Sequence, residues 1–301
     1  MYPALPNGLG YYIERKSGVN KNIDEIEFTI FDTETTGLEP AQGDRIVEIA
    51  AIRFKGKDKI AAFQSLVNPG RPISEAAFCV NHITQEMLRD APTIDAVMPN
   101  FLKFIQDSCL CSYNAVFDLE FLNNELRLIG KNLPCSLSAG RGLLEGIVVV
   151  DILKMARRLL PGLERYALWF VSDKLGIQME QKHRALADVE LTFNVFSKFK
   201  EILQAKGITD FINFSSLFGL NSHFLDNINN QKIAEIQEAI NLGVKLKIKY
   251  ISSSNAKVTE RQVLPRQIRQ EENRIYMVGY CYLRNEDRSF RIDNILHLEI
   301  V

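Results

Sequence analysis

The stretch that most constrains this chain is Phe31-Asp-Thr-Glu-Thr-Thr-Gly37, because it follows directly on an apolar run from Ile26 to Phe31. Such a run reads as a buried strand. Strand side chains alternate faces, so Asp32 and Glu34 project from the same side at its end. Two neighbouring carboxylates at the end of a buried strand are costly unless a cation neutralises them, and a hard divalent metal ion fits that need. The pair therefore points to a metal-dependent enzyme acting on phosphates, provided that further ligands exist elsewhere in the chain.

The pattern around the pair is β-rich, with strands expected at Glu27–Phe31, Arg45–Phe54 and Ile60–Val67, the last ending at the turn signal Asn68-Pro-Gly70. Thr93–Gln106 reads as an amphipathic helix, with Ile94, Val97, Phe101, Phe104 and Ile105 close to a single face. Cys109–Tyr113 suits a short strand, and Phe117–Ile129 a helix stopped by Gly130. Ile147–Val150 suits a buried central strand, and helices follow at Asp151–Leu160, Arg165–Leu175 and Ala185–Ala205. Strands first, then strand–helix alternation, imply an α/β unit with a mixed sheet flanked by helices.

After Gly207 the grammar changes. Residues 208 to 230 are rich in Phe, Asn and Ser without a clear period and read as a connector, followed by a helix at Ile233–Leu242. Lys245-Leu-Lys-Ile-Lys-Tyr250 then alternates strictly, which predicts a half-buried strand, with a turn at Ser252-Ser-Ser-Asn255. Arg274–Leu283 and Ser289–Ile295 continue the β pattern. The expected organisation is an arm over 1–25, a first domain over 26–205, a linker over 206–230 and a second small domain over 231–301.

Composition narrows the classes. The 301 residues are 46% hydrophobic and 24% charged, as in ordinary globular proteins, and suffice for two cores. The five cysteines, Cys79, Cys109, Cys111, Cys135 and Cys281, lack C-x-x-C spacing, and with four histidines they argue against zinc and for a reducing cytoplasm. No secretion signal opens the chain and no apolar run approaches the roughly 20 residues of a membrane span. The formal net charge of -1 advertises no nucleic-acid partner, but a metal-filled site carries its own positive charge.

Three further residues can complete the opening pair. Asp118, in SYNAVFDLEFL, lies just after a strand and at a helix start; His183 and Asp188, in HRALADVELT, precede a long amphipathic helix. Five residues on a helix turn through about 500°, so His183 and Asp188 share no face if both are helical. His183 is therefore placed in the loop before the helix, where its imidazole can approach a water while Asp188 holds a metal. Taken singly, Asp118 and Asp188 also fit helix N-termini, where the dipole favours acids, and His183 fits a surface histidine. Their order and local settings, together with Asp32 and Glu34, favour the catalytic reading.

The three segments FDTETTG, NAVFDLEFL and HRALADVE resemble the exonuclease motifs of the DnaQ-like (DEDDh) 3'–5' exonuclease family. FQSLVNPGRPIS, NHITQEML and VVVDILKMARRLLPG add to the likeness, which covers about residues 26 to 200. The resemblance implies an RNase H-like fold and two divalent ions, Mg2+ or Mn2+. It makes Asp32, Glu34, Asp118 and Asp188 the metal-site acids and His183 the general base of a two-metal hydrolysis. It further implies that Thr33, Thr35, Thr36, Leu38 and Asn114 border the terminal nucleotide. One departure is Tyr113, where the family often has His before the Asn of the second motif; it bears on substrate preference.

Residues 233 to 301 resemble a WYL domain, an Sm-like β-barrel module linked with nucleic-acid or nucleotide-like ligands. The likeness rests on AINLGVKLKIKY, on Arg261-Gln-Val-Leu-Pro265 and on RIYMVGYCYLRNEDRSFRIDNI, although the name-giving triplet stands as Ile275-Tyr276-Met277. Residues 231–301 carry 12 Lys and Arg against 9 Asp and Glu, a net of +3 that leaves -4 for the remainder. Tyr276, Tyr280, Arg288 and Arg291 are the candidate ligand contacts, against a reading as core tyrosines and surface arginines. Lys245, Lys247 and Lys249 fit a solvated strand face. The expected activity is 3'–5' exonucleolytic hydrolysis of DNA, with a DNA polymerase as a possible partner. The alternatives are an exoribonuclease and a non-catalytic nucleic-acid-responsive regulator.

Overall fold

The computed structural model describes residues 21–129, 148–178, 183–220, 223–272 and 274–301. Residues 1–20 of the expected arm, Cys135 and Ile147 lie outside the described residues. Residues Ile23–Glu25 form a 3-10 turn capped by Asn22, whose side chain accepts from the Asp24 amide while Glu25 reaches back to the Asn22 amide.

The first domain is built on β1 (Glu27–Thr35), β2 (Ile46–Lys55) and β3 (Asp58–Leu66), an antiparallel meander in which alternating apolar residues supply both faces. β4 (Cys109–Ser112) and β5 (Val149–Asp151) add in parallel, giving the order β3-β2-β1-β4-β5 with β1 central. Helices follow as α1 (Glu75–Asn81), α2 (Gln85–Arg89), α3 (Ile94–Ile105), α4 (Ala115–Leu128), α5 (Ile152–Leu159), α6 (Leu168–Lys174) and α7 (Ala185–Ala205). The alternation of β1 sorts them. Phe31 packs on one face with Met98 and Phe101 of α3 and Leu119 and Leu122 of α4. Phe28 and Ile30 pack on the other with Val189, Phe196 and Phe199 of α7 and Met155 of α5. This is the mixed sheet flanked by helices that the sequence predicts.

Residues 208 to 230, expected to be a connector, hold α8 (Phe211–Phe218) and the start of α9 (His223–Leu242). Phe211, Phe214 and Phe218 are buried, and the Phe28 ring lies 5.7 Å from Phe214 and 5.2 Å from Phe196. Packing of those rings into the first core, with Phe214 edge-on to Phe28, stabilises a helix whose Asn and Ser content obscures its period.

The C-terminal unit is a five-stranded antiparallel sheet of β6 (Leu246–Ile251), β7 (Val258–Glu271), β8 (Arg274–Cys281), β9 (Glu286–Arg291) and β10 (Ile295–Ile300), in the order β10-β6-β7-β8-β9. Leu246 and Ile248 of the alternating strand face Ile236 and Ala239 of α9, together with Val263, Met277 and Phe290. The stretch Ser289–Ile295 does not run through as one strand: a 3-10 turn at Ile292–Asn294 divides β9 from β10. Ile251 and Leu296 belong to the core of the first domain, so the two units share apolar packing. Among the described residues, no helix is long and apolar enough to cross a membrane.

Candidate active site

The site lies at the C-terminal end of β1. Asp32 pairs with Ala50 and Glu34 with Glu48 across the β1–β2 ladder, and a register shift follows directly between Glu34 and Thr35. Such an irregularity bends the strand end and re-aims its side chains. Asp32 and Glu34 share the face that packs on α7, and Asp188 stands in the first turn of that helix, 4% exposed. Carboxylate oxygens of Asp32, Glu34 and Asp188 all lie within 4.8 Å of one another.

Asp118 comes from the opposite side of the sheet. It sits in the first turn of α4 and meets Thr33, whose side chain alternates away from the acidic pair. Its Oδ1 accepts from the Thr33 amide at 3.0 Å and the Thr33 hydroxyl at 2.7 Å, and its Oδ2 accepts from the Ser112 hydroxyl at 2.5 Å. Asp118 therefore anchors the strand end, close enough for its charge to act on Asp32.

His183 precedes α7 in a left-handed conformation, φ +48°. Its Nδ1 is 3.9 Å from Asp188 Oδ2 and its ring is roughly half exposed, as expected of a group in the loop before the helix. The remaining expected contacts are placed as follows. Thr35 donates to the Gly37 carbonyl and Thr36 to Asp44, while Leu38 projects 78% exposed at the lip. A Cβ on Gly37 would overlap the Asp44 carboxylate, so the turn needs glycine there. Asn114 is exposed in a left-handed conformation at the start of α4. Tyr113 donates its hydroxyl to the Tyr166 carbonyl at 2.7 Å, and burial holds its phenol above the ordinary value.

Electrostatics explain what this arrangement needs. Burial first, and then the charge of Asp118, raise the Asp32 carboxyl well above the ordinary carboxylate value. Burial, Asp188 and Glu48 push Glu34 up to about 8, against a lesser lowering by Arg184. Asp118 is pushed up to about 6 by burial, partly offset by the hydrogen bonds from Ser112 and Thr33. The donors are all carboxylate oxygens, and the ionised forms of Asp32 and Glu34 are disfavoured until positive charge arrives. That set fits a hard divalent cation better than a soft one.

Three residues that the sequence did not single out hold the site together. Glu48, fully buried in β2, accepts from Arg184 Nε at 3.1 Å and Nη2 at 3.0 Å, and from the Ala185 amide at 3.2 Å. It thereby ties the start of α7, with His183 and Asp188, to the acidic strands. Ser112 holds Asp118. The available signal was a lone glutamate inside an otherwise apolar run, Ile46–Ile52.

Of the expected C-terminal contacts, Tyr276 and Tyr280 share a sheet face with Arg291, which pairs directly with Tyr276. Arg288 pairs with Gly279 and projects from the other face, so these four do not converge. Arg291 grips Asp293 through Nε and Nη2.

The family model RNase_T, described as Exonuclease, matches residues 29–196, and the WYL domain model matches residues 231–300. A DNA polymerase III subunit epsilon-like protein of Rhodobacter capsulatus is 38% identical over 193 residues, 63% of this chain and 26% of that protein. The DNA polymerase III subunit epsilon of Treponema pallidum is 39% identical over 176 residues, 58% of this chain and 76% of that protein. The chain thus spans about a quarter of the Rhodobacter relative. Among solved structures, the nuclease domain of a 3'-exonuclease described as a DEDDh family member, bound to rAMP, shares the fold with a TM-score of 0.51 at 18% identity, over 62% of this chain and 95% of that one. With the acids on β1, α4 and α7 standing in motif order and the model matching more than half its length, the chain belongs to the DnaQ-like exonuclease family and carries a WYL domain at its C-terminal end.

Proposed function

We propose that this chain is a metal-dependent 3'–5' exonuclease that hydrolyses DNA from 3' ends and releases nucleoside 5'-monophosphates. The observation that carries the reading is the convergence of Asp32, Glu34 and Asp188 within 4.8 Å, with His183 beside Asp188. Two ions, Mg2+ or Mn2+, held by Asp32, Glu34 and Asp188, with Asp118 acting through water, would supply positive charge at the scissile phosphate and acidify the attacking water. The other tasks fall to side chains. His183 takes the proton of the attacking water at an imidazole nitrogen, from a loop position that solvent can re-equilibrate. Asp118 fixes Thr33 and so keeps Asp32 and Glu34 aimed at the substrate. Leu38 offers an apolar surface on which the terminal base stacks, with Thr33, Thr35, Thr36 and Asn114 at the border.

The likeness to a DNA polymerase III epsilon subunit and an epsilon-like protein supports DNA as substrate and a polymerase as partner. The C-terminal unit is read as an Sm-like module that binds nucleotides or nucleic acid and modulates the nuclease. The bulge at Pro265/Gln267 in the 14-residue β7 supports a curled sheet, and the face bearing Tyr276, Tyr280 and Arg291 supports stacking with charge; Arg288 would act from the opposite face.

The test is to incubate the chain with labelled single-stranded DNA, duplex DNA and RNA in Mg2+ and to separate the products. Mononucleotides released fastest from DNA are expected. Fast release from RNA with DNA untouched would redirect the reading to an exoribonuclease, and release from none would leave only a binding role.

A further inference from the structure

Among the described residues, three arginines grip both oxygens of a carboxylate in the same way. Arg45 holds Glu125, Arg184 holds Glu48 and Arg291 holds Asp293, each through the edge formed by Nε and Nη2. That edge presents two parallel donors matched to an oxyanion. In a fourth arginine, Arg158 of α5, the edge is buried and has no partner among the described residues, although the side chain is only 8% exposed. Its Nη1 donates to the Leu217 carbonyl at 3.0 Å, and Asp293 Oδ2 is 4.0 Å away but already taken by Arg291.

The surroundings add cations rather than acids. Arg158 lies in the seam where α5 and α8 of the first domain meet α9 and the turn Ile292–Asn294. Lys154, one turn earlier on α5, donates to the Gly219 carbonyl at 2.9 Å, and Lys232 of α9 donates to the Ile295 carbonyl at 2.6 Å. Each ammonium has three donors, so these carbonyls satisfy them only in part. Among the described residues, Arg158, Lys154, Lys232 and Arg291 are thus faced by Asp293, with Asp151 near Lys154 and Asp210 near Lys232, which leaves one cation in excess. The flanking acids are engaged: Asp151 accepts from the Asn114 and Leu153 amides, and Asp210 accepts from the Asn213 amide and side chain. Burial, with lesser repulsion from neighbouring cations, lowers Lys154 and Lys232 to about 8 and Arg158 to about 10. Surplus charge of one sign in a partly dry seam is costly unless a counter-charge completes it. Lys154, Lys232, Arg291 and Asp293 are only half-buried, so solvent meets the rim of the cluster, and the covered Arg158 edge opens to an anion as these side chains turn aside.

We propose that the free Nε–Nη2 edge of Arg158, flanked by Lys154 and Lys232, is a binding site for a phosphate-type oxyanion seated between the nuclease domain and the C-terminal sheet. The anion takes two hydrogen bonds from the guanidinium and one from each ammonium. Because its donors come from both units, binding ties them together. The site stands apart from the acids at the end of β1, and its charge is opposite to theirs.

The test is titration calorimetry of the full chain near neutral pH in EDTA, which withholds divalent ions from the acidic centre. Inorganic phosphate and a nucleoside 5'-monophosphate are the titrants, with chloride at equal ionic strength as the control. The proposal expects saturable one-site binding of phosphate that weakens at least about tenfold in Arg158→Gln. If that variant does not fold by circular dichroism, Lys154→Gln, at a half-buried position, must show the weakening instead. Equal affinity for the two titrants assigns recognition to the phosphate alone, and tighter nucleotide binding extends the site to nucleoside phosphates. Absence of saturable heat from both titrants, or unchanged affinity in the folded variant, overturns the proposal.

Discussion

At the residue scale, the acids of the centre are held in a state that favours protons until a metal arrives. Glu34 rises from 4.5 to about 8, with burial as the main cause. Between those values the folded, metal-free chain keeps a proton that the unfolded chain releases, so the stability this provides is full below about 4.5 and is lost as pH rises through about 8. Thermal melts in EDTA should therefore show the melting temperature falling across that window, less steeply in Glu34→Gln. Mg2+ should raise it most at the alkaline end, and a Mg2+ effect independent of pH would contradict the assignment. Asp32→Asn should remain folded, lose at least about a hundredfold in rate, and melt above the wild type in alkaline EDTA, because it removes charge from an uncompensated cluster. Asp32, Glu34, Asp118, His183 and Asp188 were legible because each lies within a short local pattern. The Asp118 bonds to Thr33 and Ser112 were not, since Thr33 on β1 and Asp118 on α4 are 85 positions apart and meet only after folding.

At the element scale, α7 was legible to both ends, Ala185–Ala205, because its apolar stripe is long and unbroken. The short helices α1 and α2 were not, being seven and five residues with few buried positions. β7 also escaped, since most of its residues are exposed or half-buried and it contains Pro265. Glu48 could not be paired from sequence, because Arg184 is 136 positions away. Its role is testable. Glu48→Gln leaves every proposed metal ligand in place but loosens the start of α7, with a cost of about 1–3 kcal/mol, kept modest because Arg184 is 37% exposed. The expected kinetics are a fall in kcat of roughly 10–100-fold with KM little changed. Unaltered kcat would remove Glu48 from the positioning of His183 and Asp188.

At the scale of the whole molecule, the boundary expected at residues 206 to 230 is a packed seam. Ile251 and Leu296 enter the same core as Phe28, Phe196 and Phe214. Leu296→Ala at this seam should cost about 2–5 kcal/mol, and nuclease activity should vanish at the same lowered temperature as the circular dichroism signal. Activity that survives loss of the C-terminal sheet would show two independent units. The central claim is that the carboxylates converging from β1 and α7 drive hydrolysis at a 3' end. Its most direct measurement follows single-stranded DNA labelled at the 3' end or the 5' end, with the wild type and Asp188→Asn, in Mg2+ and in EDTA. The account predicts immediate release of labelled mononucleotide from the 3' label, a shortening ladder from the 5' label, and neither in Asp188→Asn or EDTA. Undiminished release by Asp188→Asn, or mononucleotide appearing first from the 5' label, would contradict it.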